Sequence, residues 1–363
     1  MQISSYGGGA SGNDALSNAI ADAAVVRAHL DTLTRQAGDG LIPDTYAGLG
    51  TTANASLTLN AALDHVQTWQ ANIQAASGPM ATTQSALSQI SDIASSFFAQ
   101  TNALSGLNAT AIDATAASAR DALRQVTGLL NSKFGDTYVF SGIYGSTEPV
   151  PNPDQINSSN FVGGISNAVS KLATTGAAAT IVATLSIASS NAAGVSPFAA
   201  VLSQAAPVIQ GARPGVQTGD GQYQPIGIVA GTNADVASTG TSTTGSYIRD
   251  IMRALATIGA LSSSQASVTG FGTLVDDVHS SLGDAITALN GDAGVLGNRQ
   301  TSMTTTGQRL ADTTTALQKQ ISDAQDVDMA TTLSNLSAAQ TQLQSSYQLL
   351  GALRGLSLSA FLG

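Results

Sequence analysis

Residues 333–356 read LSNLSAAQTQLQSSYQLLGALRGL. Leu336, Leu343 and Leu350 fall seven apart, and Leu333, Gln340 and Tyr347 fall seven apart on the neighbouring track. A seven-residue repeat lays an apolar seam along one side of a helix and presents it to a second helix. The stretch is rich in Ala and Gln and carries a single charge, Arg354. It reads as a helix whose partner lies elsewhere.

The head of the chain supplies a matching signature. Leu16, Ala23 and Leu30 are spaced by seven, and so are Ala19, Val26 and Leu33. This 3-4-3-4 stripe covers about 27 Å of helix, and AGDGLIP (37–43) then ends it with two glycines and a proline. Residues 55–104 hold a longer pattern. Val66, Ile73, Met80 and Leu87 keep one heptad track, and Ile90, Phe97 and Leu104 continue on a second; SGPM (77–80) predicts a kink or break near Pro79. A third helix is expected over 110–132, from Ala116, Ala119, Leu123, Val126 and Leu130.

At KFGDTYVFSG (133–142) the period changes, and Tyr138, Val139 and Phe140 are strand formers bracketed by glycines. STEPVPNPDQ (146–155) reads as a boundary. Residues 143–245 hold only short helical pieces, near 162–174 and 197–210, with strand-like runs at 180–188 and 222–230. Helix returns at about 245, with Ile248, Ile251, Leu255 and Ile258 on one face, and Leu310, Leu317 and Ala324 seven-spaced further on. Gly291, Gly294 and Gly297 thin that last helix in its middle.

The expected fold is mainly α: a long antiparallel helical bundle formed by both chain ends, with an inserted β-rich or α+β domain. The expected division is 1–45 with 320–363 as a terminal helical domain, 46–142 with 245–319 as a central bundle, and 143–244 as the insert.

Composition narrows the function. The chain has 363 residues and a formal net charge of −10 with no Lys/Arg run, so nucleic acid is not an expected partner. Cysteine is absent, which removes disulfides, thiolate metal sites and cysteine nucleophiles. MQISSYGGGASGND has neither a basic n-region nor an apolar h-region, so no cleaved signal peptide is expected. GAAATIVATLSIASSNAAGV (176–195) is uncharged but diluted by Ser, Thr and Asn; it reads as a buried strand rather than a membrane span, and no membrane partner is expected.

No catalytic, cofactor-binding or metal-ligating set is found. His29, His65 and His279 form no paired-histidine helix motif, and each is expected on a polar helix face. Glu148 is the only glutamate, which excludes a glutamate acid–base pair. GFGTLV lacks the third glycine of a dinucleotide loop, and the Asp–Gly turns at 38–44 and 218–222 carry too few carboxylates for a calcium loop. No enzymatic activity and no cofactor are expected.

The helical ends also carry a family likeness. DAQDVDMATTLSNLSAAQTQLQSSYQLLGALRGLSLSAFL resembles the C-terminal pattern of bacterial flagellin and the flagellin-like hook–filament junction protein, V-D-x-A followed by L-x-x-x-x-x-x-L-x-x-S-Y. The matching residues are Val327, Asp328, Ala330, Leu336, Leu343, Ser346 and Tyr347. NSKFGDTYVFSG (131–142) resembles the junction-protein end of the first helical region. IPDTYAGLG (42–50) departs from the family's usual turn after the first helix.

The resemblance implies an extracellular subunit of the flagellum, exported through the flagellar type III apparatus and assembled with copies of itself. It also implies flagellar junction and cap proteins and an export chaperone as partners. Leu16, Ala19, Ala23, Val26, Leu30, Leu33, Leu336, Leu343, Tyr347, Leu350 and Leu353 are the expected assembly residues. A filament subunit is the first reading and the junction protein the second; a glycan-binding adhesin acting through 143–245 is the reading from another class.

Overall fold

A computed structural model describes the backbone of residues 12–42, 53–104 and 109–362, and side chains over 17–42, 53–104 and 110–352. The departing turn beyond Ile42 and the side chains of Leu16 and Leu353 lie outside the described residues. The helices are α1 (Gly12–Asp39), α2 (Ala53–Leu104), α3 (Ala109–Leu130), α4 (Asn160–Ser170), α5 (Leu172–Ser189), α6 (Ala206–Gly211), α7 (Tyr247–Ala260), α8 (Phe271–Gln325) and α9 (Met329–Leu362). Two antiparallel hairpins complete the fold, β1 (Lys133–Phe134) with β2 (Thr137–Tyr138) and β3 (Gly215–Gly219) with β4 (Gln222–Pro225). The protein is mainly α. It divides into two compact units, Met1–Val66 with Asp312–Gly363, and Gln67–Ala311.

The larger unit is organised around α7. The expected stripe of Ile248, Ile251, Leu255 and Ile258 is buried, but so is nearly every other residue of that helix, from Tyr247 to Gly259. α7 packs on α3, whose Ala116, Ala119, Leu123, Val126 and Leu130 are all buried. Small residues let the two backbones approach. A Cβ on Gly259 would come within 2.9 Å of the Arg120 side chain, and Arg120 Nη1 donates to the Gly259 carbonyl at 2.8 Å. α4 and α5 pack on α7 as well.

Two arginines of α7 hold the covering segment. Arg249 donates from Nε to the Gly231 carbonyl (3.1 Å), from Nη1 to the Ala188 and Ser190 carbonyls (2.9 and 3.2 Å), and from Nη2 to Asn191 Oδ1 (2.7 Å). Arg253 pairs with Asp277 at 3.1 Å and donates to the Ser242 carbonyl at 3.1 Å. A second latch lies on α8. Asp292, which is buried, accepts the backbone N–H groups of Ala234, Asp235 and Val236 at 2.7, 2.8 and 2.7 Å. Gly291 beside it makes room, since a Cβ there would meet Val236 at 3.0 Å.

Several local expectations need correction. Residues 180–188 are helix, not strand. Thr180, Thr184 and Ala188 recur every four residues as the buried stripe of α5, and its alanines favour helix, so the 3.6 period overrides the apparent alternation. Gly176 (φ 77, ψ 167) interrupts α5 near its start. The regular part, 177–189, spans about 20 Å, shorter than the ~30 Å hydrocarbon thickness, although α5 is long and apolar enough by composition to be a candidate span. The run 222–230 is strand only to Pro225. The inserted segment is therefore α+β with helix predominant, not β-rich.

α2 passes through Pro79 without a break. Proline removes one ladder bond. The buried row Ile73, Ala76, Met80, Thr83 and Leu87 holds the helix on both sides of it. Gly78, next to that proline, lies under the Phe134 ring of β1: a Cβ would sit 2.2 Å from the ring edge. α8 likewise runs unbroken through Gly291, Gly294 and Gly297. His29 and His65 are exposed, but His279 is not on a polar face. It stacks on Phe98 with ring centroids 4.0 Å apart, and Nδ1 lies 2.8 Å from Thr101 Oγ1.

Candidate functional site

The smaller unit is built from α1 and α9. Its loops are joined by main-chain bonds: Ile42 N–H donates to the Gln325 carbonyl at 2.8 Å and Val327 N–H to the Gly40 carbonyl at 2.9 Å. Gln325 Nε2 also donates to the buried Ser56 Oγ of α2. These bonds tie the end of α1 to the start of α9, and the two helices run antiparallel from there.

Asp328 starts α9. Its Oδ1 accepts the N–H groups of Ala330 and Thr331 at 2.9 and 3.2 Å, and its Oδ2 accepts Thr331 Oγ1 at 3.0 Å. These bonds satisfy donors that have no partner inside the helix. The Thr331 backbone and hydroxyl bonds, then the Ala330 bond, hold its carboxyl below the ordinary value of 3.8. The motif V-D-x-A thus has a mechanical content that sequence reading missed: Val327 closes the loop and Asp328 caps the helix. An Asp three residues before a Thr at a helix start was the available signal.

The expected assembly residues fall into two groups. Ala19, Ala23, Val26, Leu30 and Leu33 all turn inward on α1, with Ala23 and Leu33 buried. Across from them Leu336, Leu343 and Leu350 turn inward on α9 with buried Thr332 and Ala339 and half-buried Ser346. Both rows keep 4-3-4-3 spacing. Tyr347 is not in this seam; it is 53% exposed.

Beyond the seam lies a second apolar set. Ile20, Val25, Leu333 and Leu349 join Tyr347 on the exposed surface of this unit, Val25 at 68%. Ile20, Val25 and Leu349 were missed because they fall outside the 3-4 register. The doublet Leu349–Leu350 was a signal, since adjacent residues of a helix cannot share a face. A groove of about 500 Å³ runs between the helices, lined by Ile20, Ala23, Ala24, Arg27, Tyr347, Leu350 and Gly351. Its walls offer apolar contact and one guanidinium; nothing in it is arranged for bond making or breaking.

Residues 280–362 match the family model for the bacterial flagellin C-terminal helical region. That stretch contains the loop, the capping aspartate and the whole α9 side of the seam. The C-terminal quarter of the chain is thus similar to the helical end of flagellins. The fold of the chain resembles that of a Vibrio parahaemolyticus protein described as flagellar hook-associated, with a TM-score of 0.50 and 11% identity over 76% of this chain and 97% of the other. No match is found among curated proteins.

Proposed function

We propose that this flagellin-family chain is a structural subunit of the flagellar axial structure, outside the cell, and that it assembles with copies of itself through the paired α1 and α9. The carrying observation is geometric. The heptad rows satisfy each other within one chain, yet Ile20, Val25, Leu333, Tyr347 and Leu349 remain outside. Large apolar side chains left in water favour associations that cover them. A contact between unlike faces that does not close on itself produces an open helical polymer.

Two finer forms share this surface. One is the filament subunit, adding copies without limit, next to junction and cap proteins. The other is the hook–filament junction protein, adding one short layer. The second is favoured by the β1–β2 hairpin formed from the junction-like segment 131–142 and by the likeness in fold to the hook-associated protein. In both forms an export chaperone would cover the apolar tail before export. Electron microscopy of the purified protein under polymerising conditions tests the proposal. Long tubes assign the filament; short rings or caps that seed flagellin growth assign the junction. A protein that stays monomeric at every concentration, alone and with flagellin, would overturn the axial role.

A further inference from the structure

The larger unit contains a polar pocket of about 240 Å³ at the start of α7, lined by Asn191, Gln204, Thr232, Thr244, Ser246 and Arg249, with Ser189, Ala206, Gly231 and Gly245 completing its wall. Arg249 is the one charged side chain in that lining, and only 6% of it is exposed. All four of its hydrogen bonds go to neutral acceptors, three carbonyls and an amide oxygen. Its remaining neighbour is the Phe198 ring, 5.0 Å away. Among the described residues no carboxylate forms an ion pair with it. Asp250, next in sequence, gives its carboxylate instead to Thr243 Oγ1 and Thr244 N–H at 2.6 and 2.8 Å.

A buried cation without a counter-ion is costly, and a chain of net charge −10 has carboxylates to spare. Burial pushes Arg249 down to about 10, and the field of Asp250 only partly offsets it, so the group stays charged at neutral pH. α7 adds the partial positive charge of its N-terminus to the same wall.

We propose that this pocket binds a small hydroxylated anion of the sugar-acid or sugar-phosphate class, its oxyanion on Arg249 and its hydroxyls on the surrounding Thr, Ser, Asn and Gln side chains. The volume lies below the roughly 300–1,000 Å³ of drug-sized pockets, which restricts the ligand to about one sugar ring. No step of assembly enters this inference, and it stands apart from the axial role.

The test is calorimetric titration of the full chain with glucuronate, inorganic phosphate and glucose. Glucuronate is expected to bind at least about tenfold more tightly than glucose, the scale of one charge-assisted hydrogen bond. Phosphate competing on equal terms assigns the phosphate-bearing source, and phosphate failing to compete assigns the carboxylate. Arg249→Lys, which keeps the charge and loses the planar fork, should weaken binding. Because that change reaches the core, Ala206→Trp at the exposed mouth is the second variant. It should abolish binding while the melting temperature stays at the wild-type value. No heat with either anion at millimolar concentration, glucose binding as well as glucuronate, or undiminished binding by Ala206→Trp overturns the proposal.

Discussion

Asp328 and Asp292 do the same job in different surroundings. Each offers carboxylate oxygens to backbone N–H groups that have no other partner, Asp328 in water at a helix start and Asp292 inside the larger unit. Asp328→Ala should lower the helical circular-dichroism signal of the α1–α9 unit and its melting temperature. Because the folded carboxyl lies below its unfolded value near 3.8, the contribution of Asp328 is complete above that value. It is lost as pH falls through the lower folded one. The gap between wild type and Asp328→Ala should therefore close on acidification below about pH 4, read by melting both at neutral and acid pH. Asp292→Ala leaves three buried donors unpaired. Hydrogen bonds to a charged group contribute about 1.5–3 kcal/mol each, and partial relaxation makes a loss of about 3 kcal/mol the expected result in urea unfolding. A loss within error of zero would mean that water satisfies the 234–236 turn. Neither role was visible as a motif, since a buried aspartate is defined by what surrounds it.

Helices with long apolar rows were legible, and those shaped by contacts from outside were less so. The rows of α2, α3 and α7 follow from spacing alone, because a period sustained over many residues leaves one face to bury. α5 was misread because Ile181, Ala183, Leu185 and Ile187 fall two apart as in a strand, while its inward row is two threonines and an alanine. Pro79 was misread because the forces that keep α2 continuous come from partners distant in sequence. Gly78 carries a related test. Gly→Ala inside a helix usually stabilises by about 1 kcal/mol, but here the new methyl would collide with the Phe134 ring. In a Phe134→Ala background the collision is gone and the change should be better tolerated, short of the full gain because Pro79 crowds a Cβ on the residue before it. In the wild type the gain should be reduced or reversed, because the ring must leave its seat. A double-mutant cycle by chemical denaturation measures the difference, and additivity within about 0.5 kcal/mol would show that the ring leaves at no cost.

At the scale of the whole molecule the seam and the exposed set are separable. Leu343→Asp places a charge between α1 and α9, and should reduce helical signal in the monomer and stop polymerisation together. Leu349→Asp changes an exposed position, and should stop polymerisation while the monomer keeps its helical signal and melting temperature. Sedimentation and circular dichroism on both variants decide the point; wild-type polymer yield from Leu349→Asp would remove that position from the assembly surface. The seam was legible in the sequence because heptads announce a partner helix. The exposed residues were not, because Ile20, Val25 and Leu349 belong to no repeat within one chain. The first arginine of α7 has one more consequence. Arg249 grips residues 188–231 chiefly through main-chain carbonyls, at residues 188, 190 and 231, with one side-chain bond to Asn191. Every amino acid supplies such an oxygen, so those three contacts do not depend on which side chains stand at 188, 190 and 231. Substitutions at 188, 190 and 231 that keep the backbone path should therefore leave the Arg249 carbonyl contacts in place, so the helix beneath tolerates changes of side chain above it.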